Sequence, residues 1–351
     1  MKRVGNVYQR ICSIENLEAA DMIARKGKKD QYGIKVHDRN REANILALHH
    51  SLLDKTFKTS AYTTFFVYEP KEREVFQLPY YPDRIVHHAV MNVMGPIFVS
   101  TFTADTYSCI KGRGIHAAAK AVKRALADEQ GTMYCLKFDI RKFYPNVDHR
   151  ILKQLLRRKI KDQDLLWLLD EIIDSAPGLP IGNYLSQYFA NYYLTFFDHW
   201  VKEVLKVKYY FRYADDIVIL ASSKEYLHGL LIKLADYLAD QLCLAVKGNY
   251  QVFPVSARGI DFVGYIFYHT HTRLRESIKK RFARMMARNP NMRSFASYYG
   301  WACHADCRHL LKTLTNDKIF RPGHNHRKKG LYRGQNQNRL DIEPPDFNTR
   351  L

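Results

Sequence analysis

The spacing of apolar and polar positions along the chain predicts several short strands. Apolar and β-branched residues over 62–68 and 75–78, separated by a charged turn, predict a β-hairpin. An apolar run over 133–140 predicts a buried strand, and residues 208–222 predict a strand, a tight turn and a second strand. Two further short strands are predicted within 252–268.

Apolar residues at helical spacing separate these strands. The predicted helices cover 82–98, 149–160, 164–174, 186–205 and 224–242, with weaker helical periodicity before residue 60. Beyond residue 272 the chain becomes basic, and we expect helices to about residue 320. The order of elements in the middle of the chain predicts an α+β fold, with an antiparallel sheet backed by helices.

Composition adds an expectation about partners. The 351 residues include 55 Lys and Arg against 35 Asp and Glu, which gives a formal net charge of +20. This excess favours nucleic acid as the partner, with a membrane surface second, and 46% apolar residues exclude a disordered chain.

No apolar run approaches the roughly 20 residues that cross a bilayer. The N-terminus lacks an apolar signal core, and six scattered cysteines suit reduced thiols, so we expect a cytoplasmic protein.

The candidate chemistry lies in carboxylates placed within apolar strands. Asp215 and Asp216 sit between two apolar strands, where a pair of turn-forming Asp residues is the structural alternative. Asp139 ends the strand predicted over 133–140. Acidic residues from different strands of one sheet would form an oxygen site suited to Mg²⁺. Two such ions ~4 Å apart can activate a hydroxyl and steady a leaving pyrophosphate, which predicts phosphoryl transfer on nucleic acid.

Four segments, in order along the chain, resemble the motifs of reverse transcriptases. They span most of the chain, from about residue 65 to about residue 310 with their flanking regions. The matching segments are Phe138–Ile140 with Phe143 and Tyr144, Gly178–Gly182 with Ser186 and Gln187, Tyr213–Asp216, and Phe262–Tyr265.

The resemblance implies a right-hand polymerase with fingers, palm and thumb. In this interpretation the palm is an antiparallel sheet backed by helices, and the thumb is helical. The expected divisions are a helical N-terminal extension over 1–60, fingers over 61–132, palm with part of the fingers over 133–268, thumb over 269–320, and a basic, loosely ordered tail over 321–351.

The resemblance also assigns the metal site and the reaction. Asp139 and Asp215 are expected to hold two Mg²⁺ ions, or Mn²⁺ in their place, with help from the backbone carbonyl of Ile140 and less direct support from Asp216. The primer 3′-hydroxyl would attack the α-phosphate of a bound dNTP. The implied partners are template RNA, the primer and cDNA strand, and dNTPs.

Other residues receive roles in substrate binding from the same resemblance. Lys71 and Arg73 would clamp the triphosphate, although a solvated turn explains them equally well. Tyr144 falls at the steric gate that excludes a ribose 2′-hydroxyl, with a core aromatic as the alternative. The remaining candidates are Ile181, Gly182 and Gln187 for the dNTP, Phe262, Val263, Gly264 and Tyr265 for the primer grip, and Lys247 as a further functional lysine.

Departures from the common pattern suggest a subtype. Ile181 stands where many relatives have Gln, Gln187 stands where Pro is common, and no nuclease or maturase region is expected after the thumb. This combination resembles the enzymes of diversity-generating retroelements, which implies error-prone copying of a template-repeat RNA at adenines and a small basic accessory variability protein. The alternatives are a retron or phage-defence reverse transcriptase, or a catalytically silent nucleic-acid-binding scaffold.

A cluster of thiols and imidazoles near the C-terminal end has two interpretations. Cys303, His304, Cys307 and His309 could form a zinc site, but the spacing of the cysteines matches no common closed zinc motif. Core packing of a thumb helix is the favoured interpretation.

Overall fold

The computed structural model describes residues 2–68, 72–288 and 290–315. Lys71 and the expected tail over 321–351 lie outside the described residues. The chain divides into two compact units, Met1–Ala118 with Gly131–Phe253, and Ala119–Gln130 with Pro254–Leu351. Within the described residues, no helix is both long and apolar enough to cross a membrane.

Eleven helices are described up to residue 253, and the sixth of them crosses the boundary between the units. They are α1 Tyr8–Cys12, α2 Ile14–Ala24, α3 Tyr32–Asp38, α4 Arg41–Leu53, α5 Ile85–Val99, α6 Ile115–Ala125, α7 His149–Lys159, α8 Gln163–Asp174, α9 Tyr184–Tyr193, α10 Thr195–His199 and α11 Lys224–Leu242.

Helix α11 has the predicted bounds because both of its ends are specified locally. The Ser223 side chain accepts a hydrogen bond from the Tyr226 N–H and caps the first turn, and Cys243 takes a left-handed conformation that ends the helix. The predicted helix over 186–205 is instead divided. Helix α9 ends before Leu194, α10 follows it, and a turn of π-helix covers Trp200–Val204.

A buried carboxylate links the N-terminal helices. The Asp21 side chain on α2 is fully buried and accepts hydrogen bonds from Arg25, Arg41 and the Tyr80 hydroxyl. Burial raises the pKa of Asp21, but these hydrogen bonds outweigh it and hold the pKa below its usual value. The charged form of Asp21 is therefore part of the packing of α2 against its neighbours.

The first unit contains two antiparallel sheets. The hairpin consists of β1 Thr63–Val67 and β2 Arg73–Gln77, as predicted. The central sheet has four strands in the order β4–β5–β3–β6, and helix α11 packs against β3 and β5. Its strands are β3 Tyr134–Asp139, β4 Tyr209–Tyr213, β5 Asp216–Ala221 and β6 Gln251–Pro254. The predicted α+β class, with an antiparallel sheet backed by helices, is confirmed.

Alternation along the central strands separates the core from the candidate site. Leu136 and Phe138 of β3, paired with Ile219 and Ile217 of β5, belong to the main hydrophobic core. The residues between them point to the opposite face of the sheet, because successive strand residues alternate. Asp139 lies on that opposite face.

The second unit contains a three-stranded antiparallel sheet and helices. Its elements are α12 Val255–Arg258, β7 Ile260–Phe262, β8 Tyr265–Phe267, β9 Thr272–Leu274, α13 Glu276–Arg288, α14 Met292–Ala302 and α15 Arg308–Thr315. The expectation of helix alone beyond residue 272 was wrong for β9. That strand has three residues, and its pairing with β8 defines it.

Candidate active site

The three candidate acidic residues lie at one end of the central sheet. Asp139 is the last residue of β3 and pairs in register with Asp216, the first residue of β5. Asp215 lies in the tight turn before β5, and its carbonyl accepts a hydrogen bond of 3.3 Å from the Ile140 N–H. The strand pairing therefore places Asp139 and Asp216 side by side on the face opposite the core.

Asp216 is electrostatically strained in this arrangement. The pKa of Asp216 is raised to about 7, mainly by burial; Lys137 lowers this pKa, and the charges of Asp139 and Asp215 raise it. The Lys137 Nζ lies 3.5 Å from Asp216 Oδ2, and Lys137 shares the face of Asp139 two residues earlier in β3. The site therefore concentrates negative charge beyond what one lysine offsets.

The donor set has the chemistry of a divalent-cation site. Asp216 Oδ1 is buried and has no hydrogen-bond partner among the described residues, so one hard oxygen remains available. Nearby acidic groups and a free carboxylate oxygen suit Mg²⁺ or Mn²⁺. No group of three His, Cys, Asp or Glu side chains in the described ranges already surrounds a metal position. The residues fit a divalent ion in kind.

A buried ion pair supports the turn from the other face of the sheet. Arg212 on β4 is fully buried, and its Nε lies 2.8 Å from Asp198 Oδ1. The same guanidinium donates to the Asn191 side chain, at 3.1 Å, and to the Ala214 carbonyl in the turn, at 3.0 Å. Ala214 has a φ of 54°, in the left-handed region. Arg212 therefore fixes the backbone that carries Asp215.

Asp198 also accepts hydrogen bonds from two buried hydroxyl groups behind the turn. It accepts hydrogen bonds from the Tyr210 hydroxyl at 2.6 Å and from the Thr106 hydroxyl at 3.0 Å. Burial lowers the pKa of Arg212, but the Asp198 charge and hydrogen bonds outweigh it and raise the pKa above its usual value. Arg212 remains a cation, and the network behind the turn is well satisfied.

Tyr144 joins the carboxylates to the glycine-rich loop over 178–182. Burial raises the pKa of its hydroxyl, and the nearby charge of Asp215 adds to this effect. The Tyr144 carbonyl accepts a hydrogen bond of 2.8 Å from the Leu179 N–H. Gly178 lies so close that a Cβ there would be 2.6 Å from the same carbonyl. The first two candidate motifs are thus packed together at a left-handed glycine.

The same loop is hydrogen-bonded to the hairpin. The Ile181 carbonyl accepts from the Phe76 N–H of β2 at 2.8 Å. Gly182 has a φ of +117°, and a Cβ there would lie 2.3 Å from the Phe76 carbonyl oxygen. Arg73 is exposed at the opposite end of β2, and the partly buried Gln187 lies on α9. The structure therefore connects the loop, through Ile181 and Gly182, to Phe76 of the hairpin, and Arg73 lies away from this contact.

Two further predicted groups fall in different places. The Lys247 N–H donates to the Asp139 carbonyl at 2.9 Å, so this lysine adjoins the site through its backbone. The predicted primer grip lies in the second unit, where Val263 and Gly264 form the turn between β7 and β8 with φ values of 43° and 85°. Phe262 and Tyr265, which flank the turn, are fully buried.

The thiol and imidazole cluster shows no metal arrangement within the described part of the chain. Cys303 is exposed and Cys307 is buried. The Lys123 ammonium donates to the His304 carbonyl.

Sequence reasoning missed Lys137, Arg212 and Asp198. A signal was present for the first two, because each is a cation inside an apolar strand; Lys137 lies two residues before Asp139, and Arg212 lies three residues before Asp215. Asp198 gave no such signal, since it occupies a predicted amphipathic helix in which a polar residue is ordinary.

The sequence of the chain is similar to one known protein family and to several known proteins. Residues 70–267, more than half of the chain, match the family described as reverse transcriptase (RNA-dependent DNA polymerase). The chain is 29% identical over 153 residues to protein YkfC of Escherichia coli (strain K12), which covers 39% of this chain and 40% of that protein. It is 25% identical over 181 residues to the group II intron-encoded protein LtrA of Lactococcus lactis subsp. cremoris, covering 48% of this chain and 30% of that protein.

These matches span less than half the length of either curated relative. Among solved structures, apo telomerase from Candida tropicalis is similar with a TM-score of 0.49 and 11% identity, over 75% of this chain and 60% of that chain.

Proposed function

Because the chain belongs to the reverse transcriptase (RNA-dependent DNA polymerase) family, we propose that it copies an RNA template into DNA by nucleotidyl transfer. The observation that carries this proposal is the pairing of Asp139 with Asp216, with Asp215 in the adjoining turn. The net charge of +20 supports a polyanionic template and primer.

The roles of the site follow from the residues and their positions. Asp139 and Asp215, with the Ile140 carbonyl and with less direct support from Asp216, would hold two divalent ions, Mg²⁺ or Mn²⁺. When bound, these ions supply activation of the primer 3′-hydroxyl and stabilisation of the pyrophosphate leaving group. Tyr144 would contact the sugar of the dNTP, and the nearby charge of Asp215, which helps to raise the pKa of its hydroxyl, supports a position next to the carboxylates. The loop at Ile181 and Gly182 positions the nucleotide against the hairpin.

Primer extension on an RNA template with dNTPs and Mg²⁺ tests the activity. We expect Asp215→Asn to abolish incorporation, because it removes a charge that the metal site requires. Asp240→Asn is the matched control, since Asp240 is an exposed carboxylate on α11. Incorporation by Asp215→Asn at the level of the control would refute the assignment of the site. RNA binding without any extension by the unaltered protein would favour the silent scaffold.

We further propose the diversity-generating subtype, in which the cDNA carries errors at adenines and a small basic accessory protein takes part. Ile181 supports this interpretation because its side chain offers only dispersion contact, whereas Gln could hydrogen-bond near the nucleotide. Each ~1.4 kcal/mol of lost discrimination corresponds to a tenfold change in selectivity. A retron or phage-defence enzyme is the alternative within the family.

Sequencing cDNA made by Ile181→Gln on an adenine-rich template tests the role of Ile181. We expect fewer adenine errors, and we expect Ile181→Leu to keep the original error spectrum as the apolar control. The contact with β2 uses the Ile181 backbone carbonyl, so both variants can retain it. An unchanged spectrum in Ile181→Gln would count against this explanation.

A further inference from the structure

Among the described residues, a half-buried arginine outside the carboxylate site has no hydrogen-bond or ion-pair partner. Arg84 directly precedes α5, and within residues 2–68, 72–288 and 290–315 its side chain makes no hydrogen bond and has no carboxylate within 4.0 Å. By contrast, Arg25 in the same unit forms ion pairs with Asp21 and Asp38. Removing a guanidinium from water without a counter-charge is unfavourable, so Arg84 needs another explanation.

Lys28, a cation, and His88, a neutral imidazole at neutral pH, lie near Arg84. His88 lies one helical turn later on α5 and stacks on Tyr184, with ring centroids 4.4 Å apart. Lys28 is half-buried and, in the described ranges, has no side-chain hydrogen bond or ion pair. Burial lowers the pKa values of Lys28 and His88, and the nearby charge of Arg84 lowers them further.

Two buried carboxylates lie in this part of the fold. Asp83, the residue before Arg84, is fully buried; its Oδ1 accepts a hydrogen bond of 3.0 Å from the Ser60 N–H, and its Oδ2 has no hydrogen-bond partner among the described residues. Asp21 is held by its two arginines and Tyr80. Neither carboxylate lies within ion-pair distance of Arg84, so the positive charge of this cluster is left for a ligand.

We infer that Lys28, Arg84 and His88 form a subsite for a phosphate of the template RNA strand. The guanidinium fork can bind two phosphate oxygens at once, and Lys28 adds a second charge. Tyr184 is 38% exposed beside the cluster, and an exposed aromatic next to a basic site is typical of single-strand binding. This inference rests on the proposed function and specifies how its template is held.

The strand phosphate is favoured over the triphosphate of a dNTP. A dNTP is bound together with its metal ions, which require carboxylate oxygens. Three acidic residues lie together at the facing ends of β3 and β5, whereas the one carboxylate adjacent to Arg84 in sequence, Asp83, is fully buried and no ion pair joins it to Arg84 among the described residues. A phosphodiester needs no metal and carries one charge that Arg84 can neutralise.

The test measures the affinity for a single-stranded template RNA over a range of salt concentrations, without dNTPs. We expect Arg84→Gln to weaken binding about threefold to tenfold at low salt, and to reduce the slope of log K against log salt by about 0.7, as for one lost phosphate contact. Arg39→Gln, which removes an exposed arginine after α3, should leave the slope unchanged.

Stability provides an independent readout of the same variant. Because Arg84 has no partner in the described structure, Arg84→Gln should unfold at the same urea concentration as the unaltered protein or at a higher one.

In the RNA-binding test, an unchanged salt slope for Arg84→Gln would overturn the inference. A raised KM for dNTP with unaltered RNA affinity would overturn it in favour of a triphosphate site.

Lys28→Gln gives a second measurement that does not depend on the folding of the Arg84 variant. We expect the same direction of change in the salt slope, and no change would contradict the subsite. Failure of the proposed polymerase would be seen separately, as absence of primer extension by the unaltered protein while Arg84→Gln still reduces RNA binding.

Discussion

Removal of Arg212 should lower the free energy of unfolding and should also disturb the turn that carries Asp215. The two effects can be measured separately. Arg212→Met deletes a fully buried cation and leaves the fully buried Asp198 without its counter-charge. Breaking a buried pair by removing one partner costs about 3–5 kcal/mol. The bond from Arg212 to the Ala214 carbonyl is also lost, and a hydrogen bond from a charged donor contributes about 1.5–3 kcal/mol. We therefore expect a loss of at least about 3 kcal/mol.

A double-mutant cycle with Asp198→Asn separates the ion pair from the turn. Asn keeps the size of Asp198 and can retain contacts with Tyr210 and Thr106. Urea denaturation should show that the double variant is less destabilised than the sum of the single variants by about 2 kcal/mol or more. Additive losses would refute the coupling.

Primer extension by the same variants tests the positioning of the turn. Asp198→Asn keeps the donor to the Ala214 carbonyl, so we expect kcat to fall less than in Arg212→Met, with similar RNA affinity in both. Arg212→Lys, which retains the charge, should recover part of the stability but less of kcat, because one ammonium cannot reproduce the guanidinium fork. A kcat for Arg212→Met equal to that of the unaltered protein would contradict a role in positioning Asp215.

Three further outcomes follow from close contacts and from burial. Gly182→Ala should reduce primer extension by tenfold or more, because its Cβ would lie 2.3 Å from the Phe76 carbonyl oxygen. Gly264→Ala should lower stability by about 2–4 kcal/mol in urea denaturation, because its φ is +85° and its Cβ would lie 2.3 Å from the Trp301 ring. The low pKa of Asp21 contributes stability above its unfolded pKa, which is lost as the pH falls through the folded value. Acid titration of Asp21→Asn by circular dichroism should therefore show a smaller loss of stability below about pH 4 than the unaltered protein.

Local signals made much of the fold predictable. The hairpin over 63–77, the strands on either side of the Asp215 turn, and α11 all follow from periodicity and turn chemistry in contiguous sequence. The three-residue β9 could not be predicted this way, because it exists through pairing with β8. The division of the helix predicted over 186–205 at Leu194 also has no obvious local signal.

The candidate site likewise contains residues that the sequence predicts and residues that it does not. Asp139, Asp215 and Asp216 stand out in sequence because carboxylates are unusual beside apolar strands, and the structure brings them to one end of one sheet. The pairing of Arg212 with Asp198 depends on the packing of α10 against β4, which no sequence pattern specifies. Arg84 was also missed, since a lone arginine before a helix looks like an ordinary exposed residue.

The hydrogen bond between Phe76 and Ile181 uses main-chain atoms only. The loop is therefore anchored to its hairpin whatever side chain stands at position 181. Natural variation at that position can proceed by single substitutions without loss of the anchor. Under the role proposed for Ile181, a single substitution would change copying accuracy while the main-chain link between loop and hairpin is kept.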